Sequence, residues 1–231
     1  DADAAMYGAK AGGRDRIAAY AAGSRPVTID GLRTSTELRR GLERGEIVPY
    51  FQPIVDLKTG VIAKFGVLIR WPRPERGLLG PEDFLPTAEA SGLMNEIGQR
   101  MLSDALAQLG HWRAHDHPYG QCALAVNLAT QQLNDPGFLS AVEDALGLSG
   151  VEASALWFEI TETALLHDVA AATVALRALR GLGVHLSVDD FGTGYSSLTY
   201  LKKFPVEAIK VDRSFVTGLG IEVDDSSIVE A

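Results

Sequence analysis

Four segments in the second half of the chain repeat one pattern, and that pattern admits few folds. Successive side chains of a β-strand point to opposite faces, so residues two apart share a face. In Gln121–Leu128, Leu124, Val126 and Leu128 fall on one face, and Ala123, Ala125 and Asn127 on the other. In Leu156–Thr161, Leu156, Phe158 and Ile160 oppose Trp157, Glu159 and Thr161. In His185–Asp190, Leu186 and Val188 oppose His185, Ser187 and Asp189; in Ala208–Asp212, Ile209 and Val211 oppose Ala208, Lys210 and Asp212. Each segment has one apolar face suited to covering helices and one face with a polar group near its C-terminal end. An open doubly wound sheet buries both faces, which makes such polar groups unfavourable. A barrel turns one face inward, and its strand C-terminal ends form the mouth of a site.

The rest of the chain fits an alternating α/β arrangement. Val48–Leu57 and Val61–Trp71 read as two further strands, joined by Lys58-Thr59-Gly60 as an antiparallel hairpin. Helices are expected at Pro81–Ser91, Ile97–Ala114, Pro136–Leu146, Leu165–Leu182 and Ser196–Lys203. Helix–strand alternation after the hairpin predicts a parallel sheet. A helix is expected over TSTELRRGLERGE, opened by a Thr34/Glu37 capping box. Upstream, DADAAMYGAKAGGRDRIAAY reads as a helix ended by Gly12-Gly13 and a short strand at Arg16–Tyr20, too little to fold alone. The reading is therefore the tail of a preceding domain at 1–20, a linker at 21–33, and a second domain at 34–231 that is cut at its end.

In the barrel reading Asn127, Glu159, Asp189, Asp190 and Lys210 converge at the mouth. Three carboxylates gathered there with an amide are unfavourable unless cations intervene, because the like charges repel. Oxygen donors of this kind suit Mg²⁺ or Mn²⁺. Such ions activate water and clamp an in-line displacement at phosphorus. The net charge of −9 argues against non-specific binding to nucleic acid or to anionic membrane. The single cysteine, Cys122, sits in an apolar run and reads as a small core residue. No apolar run is long enough to span a bilayer, so the expected location is cytoplasmic, with no membrane insertion in this fragment and membrane anchoring left open for a longer parent chain.

FQPIVDLKTG, VNLATQQL, FEITETALL and VDDFGTGYSSLTYLKKFPVEAIKVDRSF resemble the EAL domain, the cyclic-di-GMP phosphodiesterase family, from about Leu38 onward. The opening segment resembles the end of a GGDEF diguanylate cyclase domain. The resemblance implies a TIM-like (β/α) barrel whose first strand runs antiparallel, incomplete here because its last strands are missing. It implies linearisation of cyclic-di-GMP to pGpG with Mg²⁺ or Mn²⁺. Residue by residue, it places Asn127, Glu159, Asp189 and Asp190 on metal-ligand positions. Lys210 falls beside the reacting water, and Glu162 steadies the loop after Asp190. Gln52, Arg70 and Asp212 fall on substrate-side positions. It further implies a homodimer through the loop and helix after Asp190, and an upstream GGDEF partner domain.

One position departs from that pattern. The Glu-Ala-Leu signature aligns with Gly66-Val67-Leu68, followed by Ile69-Arg70-Trp71. Gly66 stands where the first metal-ligating glutamate belongs, on the same strand face as Arg70. Glycine brings neither oxygen donor nor charge. Three readings follow: a catalytically degenerate module that still binds cyclic-di-GMP, an active phosphodiesterase, or a scaffold that binds no nucleotide. The missing carboxylate favours the first.

Overall fold

A computed structural model describes residues 29–192 and 202–217. Within it the chain divides into two compact units. The first includes residues up to Glu46 together with Trp71–Leu93, and the second comprises Ile47–Arg70 and the residues from Met94 onward.

The first unit contains α1 (Ile29–Glu43), the strand β3 (Gly77–Leu79), α2 (Pro81–Ser91) and the end of β2 (Ile62–Arg73). β3 pairs antiparallel with Trp71–Arg73, a short strand absent from the sequence reading. Trp71 is buried edge-to-face against Phe84, with ring centroids 5.7 Å apart. A Cβ at Gly41 would lie 2.9 Å from the Trp71 indole nitrogen, so glycine lets α1 meet the ring. α1 corrects one expectation. It begins at Ile29, so Thr34 lies inside the helix and does not cap it. A capping residue needs a non-helical backbone at the helix boundary.

The second unit holds the sheet. β1 (Val48–Val55) pairs antiparallel with β2, and β2, β4 (Ala123–Asn127), β5 (Leu156–Thr161), β6 (His185–Phe191) and β7 (Ala208–Val211) follow in parallel order. The hairpin forms where expected. Asp56 Oδ1 accepts from the backbone N–H groups of Lys58 and Thr59 at 3.0 and 2.8 Å, and Gly60 takes the left-handed conformation that closes the turn. Among the described residues β1 and β7 are the edges of this path.

The described α-helices of this unit are α3 (Met94–Ala114), α4 (Thr130–Leu133), α5 (Phe138–Ser149), α6 (Glu162–His167), α7 (Val169–Gly181) and α8 (Arg213–Thr217). The core packs one sheet face against them: Phe65, Val67, Leu124, Val126, Phe158, Ile160, Leu186 and Val188 are buried with Leu106, Val142, Leu165 and Leu176. Cys122 is buried there, as expected, and burial raises its thiol pKa. The alternation read from the sequence therefore holds along β4, β5 and β6. On β7 it holds less well, because Ile209 at the sheet edge is 44% exposed.

The helix expected over Leu165–Leu182 is two helices. Asp168 has an extended backbone, and its Oδ1 accepts from Ala170 and Ala171 N–H at 3.1 and 3.0 Å. Its carboxylate satisfies the orphan donors of a new helix start and so wins over continuation of the old one. Asp168→Ala is expected to lower the unfolding free energy by about 1 kcal/mol in urea titrations; an unchanged midpoint would contradict this assignment. The opening helix and strand at 1–20, most of the linker, and the helix expected at Ser196–Lys203 up to residue 201 lie outside the described residues.

Candidate functional site

Strand register assembles the polar residues. Asn127 is level with Glu159, Glu159 with Ser187, and Thr161 with Asp189. β7 lies beside β6 with Ile209 level with Val188, which brings Lys210 beside Asp189. The Lys210 ammonium donates to Glu159 Oε2 at 2.6 Å and lies 3.0 Å from Asp189 Oδ1. One lysine thus bridges two carboxylates from two strands.

The electrostatics follow from burial. Glu159 is only 6% exposed. Burial raises its pKa above the usual carboxylate value, and the Lys210 hydrogen bond and charge only partly offset this. Burial also works against the Lys210 charge, but the Glu159 and Asp189 contacts outweigh it and its pKa is raised. For an ion pair alone the carboxylate would shift down. The upward shift identifies desolvation of Glu159 as the dominant effect.

Asp190 sits at an irregularity in the β6–β7 register, with φ of 53°. Aspartate tolerates this left-handed conformation better than most residues do. The Asp190 N–H donates to Asp189 Oδ1 at 3.0 Å. Burial, then the charges of Asp189 and Asp212, raise the Asp190 pKa. Asp212 is half-buried and turned toward Ser214, whose N–H and hydroxyl both donate to its Oδ1; these bonds lower its pKa.

Gln52 is level with Gly66 across the β1–β2 ladder and exposed. Arg70 is half-buried, its Nη1 donating to the Ile69 carbonyl at 2.8 Å. Glu162 opens α6 and is 4% exposed, with both carboxylate oxygens buried and, among the described residues, without a hydrogen-bond partner. The loop it is expected to steady lies, beyond Gly192, outside the described residues.

Gly66 needs no special backbone. Its φ is not positive, and a Cβ there would meet only the Gln52 carbonyl oxygen and Ile54 Cδ1, both at 3.8 Å. Neither conformation nor packing demands glycine, so what the residue changes is chemical.

Sequence reasoning placed Trp157 and His185 on this face but gave them no partners, and it did not single out Lys64. The Lys64 ammonium lies 3.2 Å from the Trp157 ring centroid, and Trp157 stacks on His185 at 4.5 Å. His185 Nδ1 lies 2.9 Å from Glu207 Oε2, and Glu207 also pairs with Arg180. The signal for Lys64 was available: it shares a strand face with Gly66.

Among the described residues, no three His, Cys, Asp or Glu side chains stand close enough together to hold one metal ion. Phosphodiesterases of the EAL type generally depend on a divalent metal. The donors as arranged here do not fit one: Gly66 supplies none, and no three of the others converge.

The sequence profile of the EAL domain matches residues 35–231. The chain is 38% identical over 231 residues to the bifunctional diguanylate cyclase/cyclic di-GMP phosphodiesterase MucR of Pseudomonas aeruginosa, covering all of this chain and 33% of that protein. It is 34% identical over 230 residues to the cyclic di-GMP phosphodiesterase PdeR of Escherichia coli, covering 100% of this chain and 34% of that one. The chain thus spans about a third of the length of these curated relatives. A solved structure of the MucR phosphodiesterase in complex with c-di-GMP superposes with a TM-score of 0.79 at 39% identity, covering 85% of this chain and 79% of that one. The FimX EAL domain of Pseudomonas aeruginosa bound to c-di-GMP gives 0.75 at 26% identity, covering 87% and 78%. No helix among the described residues is long and apolar enough to cross a membrane.

Proposed function

The chain belongs to the EAL domain family across residues 35–231, and on that premise we propose that it binds cyclic-di-GMP at the strand C-terminal ends without hydrolysing it at ordinary enzyme rates. The observation that carries this reading is Gly66, a position with room for a side chain and no carboxylate to offer. The ligand assignment is supported by the c-di-GMP complexes of the similar MucR and FimX domains. Gln52, Arg70 and Asp212 are the contacts assigned to the nucleotide, with Arg70 as the cation for its phosphodiester. Asn127, Glu159, Asp189 and Asp190 are assigned the metal-side positions of the site, and Lys210 and Glu162 the supporting ones. Without a carboxylate at position 66 they lack the full donor set for activating a water.

The test is to incubate the chain, and the longer protein that contains it, with cyclic-di-GMP and Mg²⁺ or Mn²⁺. pGpG is followed while binding is measured in parallel. Binding without turnover is the expected result. Turnover at ordinary enzyme rates would overturn the reading in favour of an active phosphodiesterase, and absence of both would leave a scaffold.

A further inference from the structure

Gly66 is not the only unusual feature of its strand face. Lys64 precedes it by two residues, a separation of about 6.6 Å along a strand. Lys64 is level with Ala123, and Ala125 with Trp157. The two alanines leave the intervening strand β4 low, and the Lys64 side chain crosses it to place its ammonium 3.2 Å from the Trp157 ring centroid. Trp157 is the inner-face residue immediately before Glu159 on β5. The ammonium of a lysine from β2 therefore sits over the residue two before Glu159, on the β4 side, while Lys210 from β7 holds Glu159 from the other side.

We propose that Lys64 is a second fixed cation of this site: held over Trp157, it adds a positive charge on the β4 side of Glu159, opposite Lys210, where a carboxylate at position 66 would meet it. The ring face of Trp157 holds the Lys64 ammonium in place through its quadrupole. Burial lowers the Lys64 pKa, and the charges of Glu159 and Glu207 oppose that shift. Lys64 and Gly66 then form a matched pair. A glutamate at position 66 would meet an ammonium two residues away on its own strand face and be neutralised as an ion pair instead of left free as an oxygen donor. Regaining a metal site accordingly requires two changes. The proposal also deepens the reading of the site as a nucleotide site, on which it rests for one consequence: cyclic-di-GMP binds independently of divalent ions.

The test separates the two ideas. Mn²⁺ alone is titrated into the nucleotide-free chain and followed by electron paramagnetic resonance, for Gly66→Glu, for Lys64→Met/Gly66→Glu and for Lys64→Arg/Gly66→Glu. The methionine double variant is expected to bind Mn²⁺ at least about tenfold more tightly than Gly66→Glu alone, within the range that a site's supporting groups command. The arginine double variant, which keeps the charge, is expected to match the single variant. Equal Mn²⁺ affinity in all three would overturn the proposal, and so would equal gains with methionine and arginine, which would reduce Lys64 to a packing role. In parallel, cyclic-di-GMP binding to the unmodified chain is measured in EDTA and in excess Mn²⁺. Equal affinity is expected, and a tenfold gain with Mn²⁺ would count against the proposal. If nucleotide binds under neither condition, the proposed function fails while the Mn²⁺ series still decides the role of Lys64.

Discussion

Lys210→Met is expected to lower the stability of the chain by about 2 kcal/mol, because it leaves a buried carboxylate without its cation. Glu159 is 6% exposed and receives its shortest hydrogen bond, 2.6 Å, from Lys210. The Lys210 side chain is 41% exposed, and solvent screening keeps the effect below that of a fully buried pair. Adding Glu159→Gln to Lys210→Met is expected to recover most of the loss, since an amide suffers far less from burial than a charge does. If Lys210→Met is as stable as the unmodified chain, the bridge contributes nothing.

The pH dependence provides a second reading of the same contact. The Glu159 pKa stands above its ordinary 4.5, through burial first. A carboxyl with a raised folded-state pKa stabilises the fold fully below its unfolded value and loses that contribution as the pH rises through the folded value. Without Lys210, burial is less opposed and the folded value rises further. The deficit of Lys210→Met is therefore largest near neutrality and shrinks as Glu159 takes up a proton. Urea titrations at about pH 7 and about pH 5 are expected to show the gap narrowing at the lower pH. A gap that widens on acidification would assign the loss to packing.

Arg70→Ala is expected to weaken cyclic-di-GMP binding by about 10- to 100-fold, the equivalent of losing a charged hydrogen bond. In a chain of net charge −9, an anionic phosphodiester needs a local cation. Arg70 lies on the same strand as Gly66 and, by the two-residue period, on the same face. Among the described residues its Nη1 holds only the neighbouring Ile69 carbonyl, a contact that is readily exchanged for phosphate. Arg70→Lys is expected to recover part of the loss, because a point charge remains but the planar fork does not. Calorimetry with the folded variants measures both. Unchanged affinity in Arg70→Ala would remove Arg70 from the site.

The inward polar row and its gap were legible in the amino-acid sequence. A strand's two-residue period is local, so the faces of Glu159, Asp189 and Lys210, and the parity of Gly66 with Arg70, follow from the order of residues alone. Turn chemistry is equally local, and Asp56 with Gly60 closes the hairpin where the sequence predicts it. Helix boundaries were less legible. Asp168 divides a continuous apolar pattern by capping a new helix, a competition that periodicity does not register.

What only the tertiary structure decided is which charges meet. Lys210 bridges Glu159 and Asp189 because β7 lies beside β6 with Ile209 level with Val188. Lys64 reaches Trp157 because β4 lies between their strands and presents two alanines on that face. Periodicity assigns a side chain to a face. Strand order and register assign its neighbours, and the neighbours determine whether a lysine on the inner face is an isolated burden or a counter-cation.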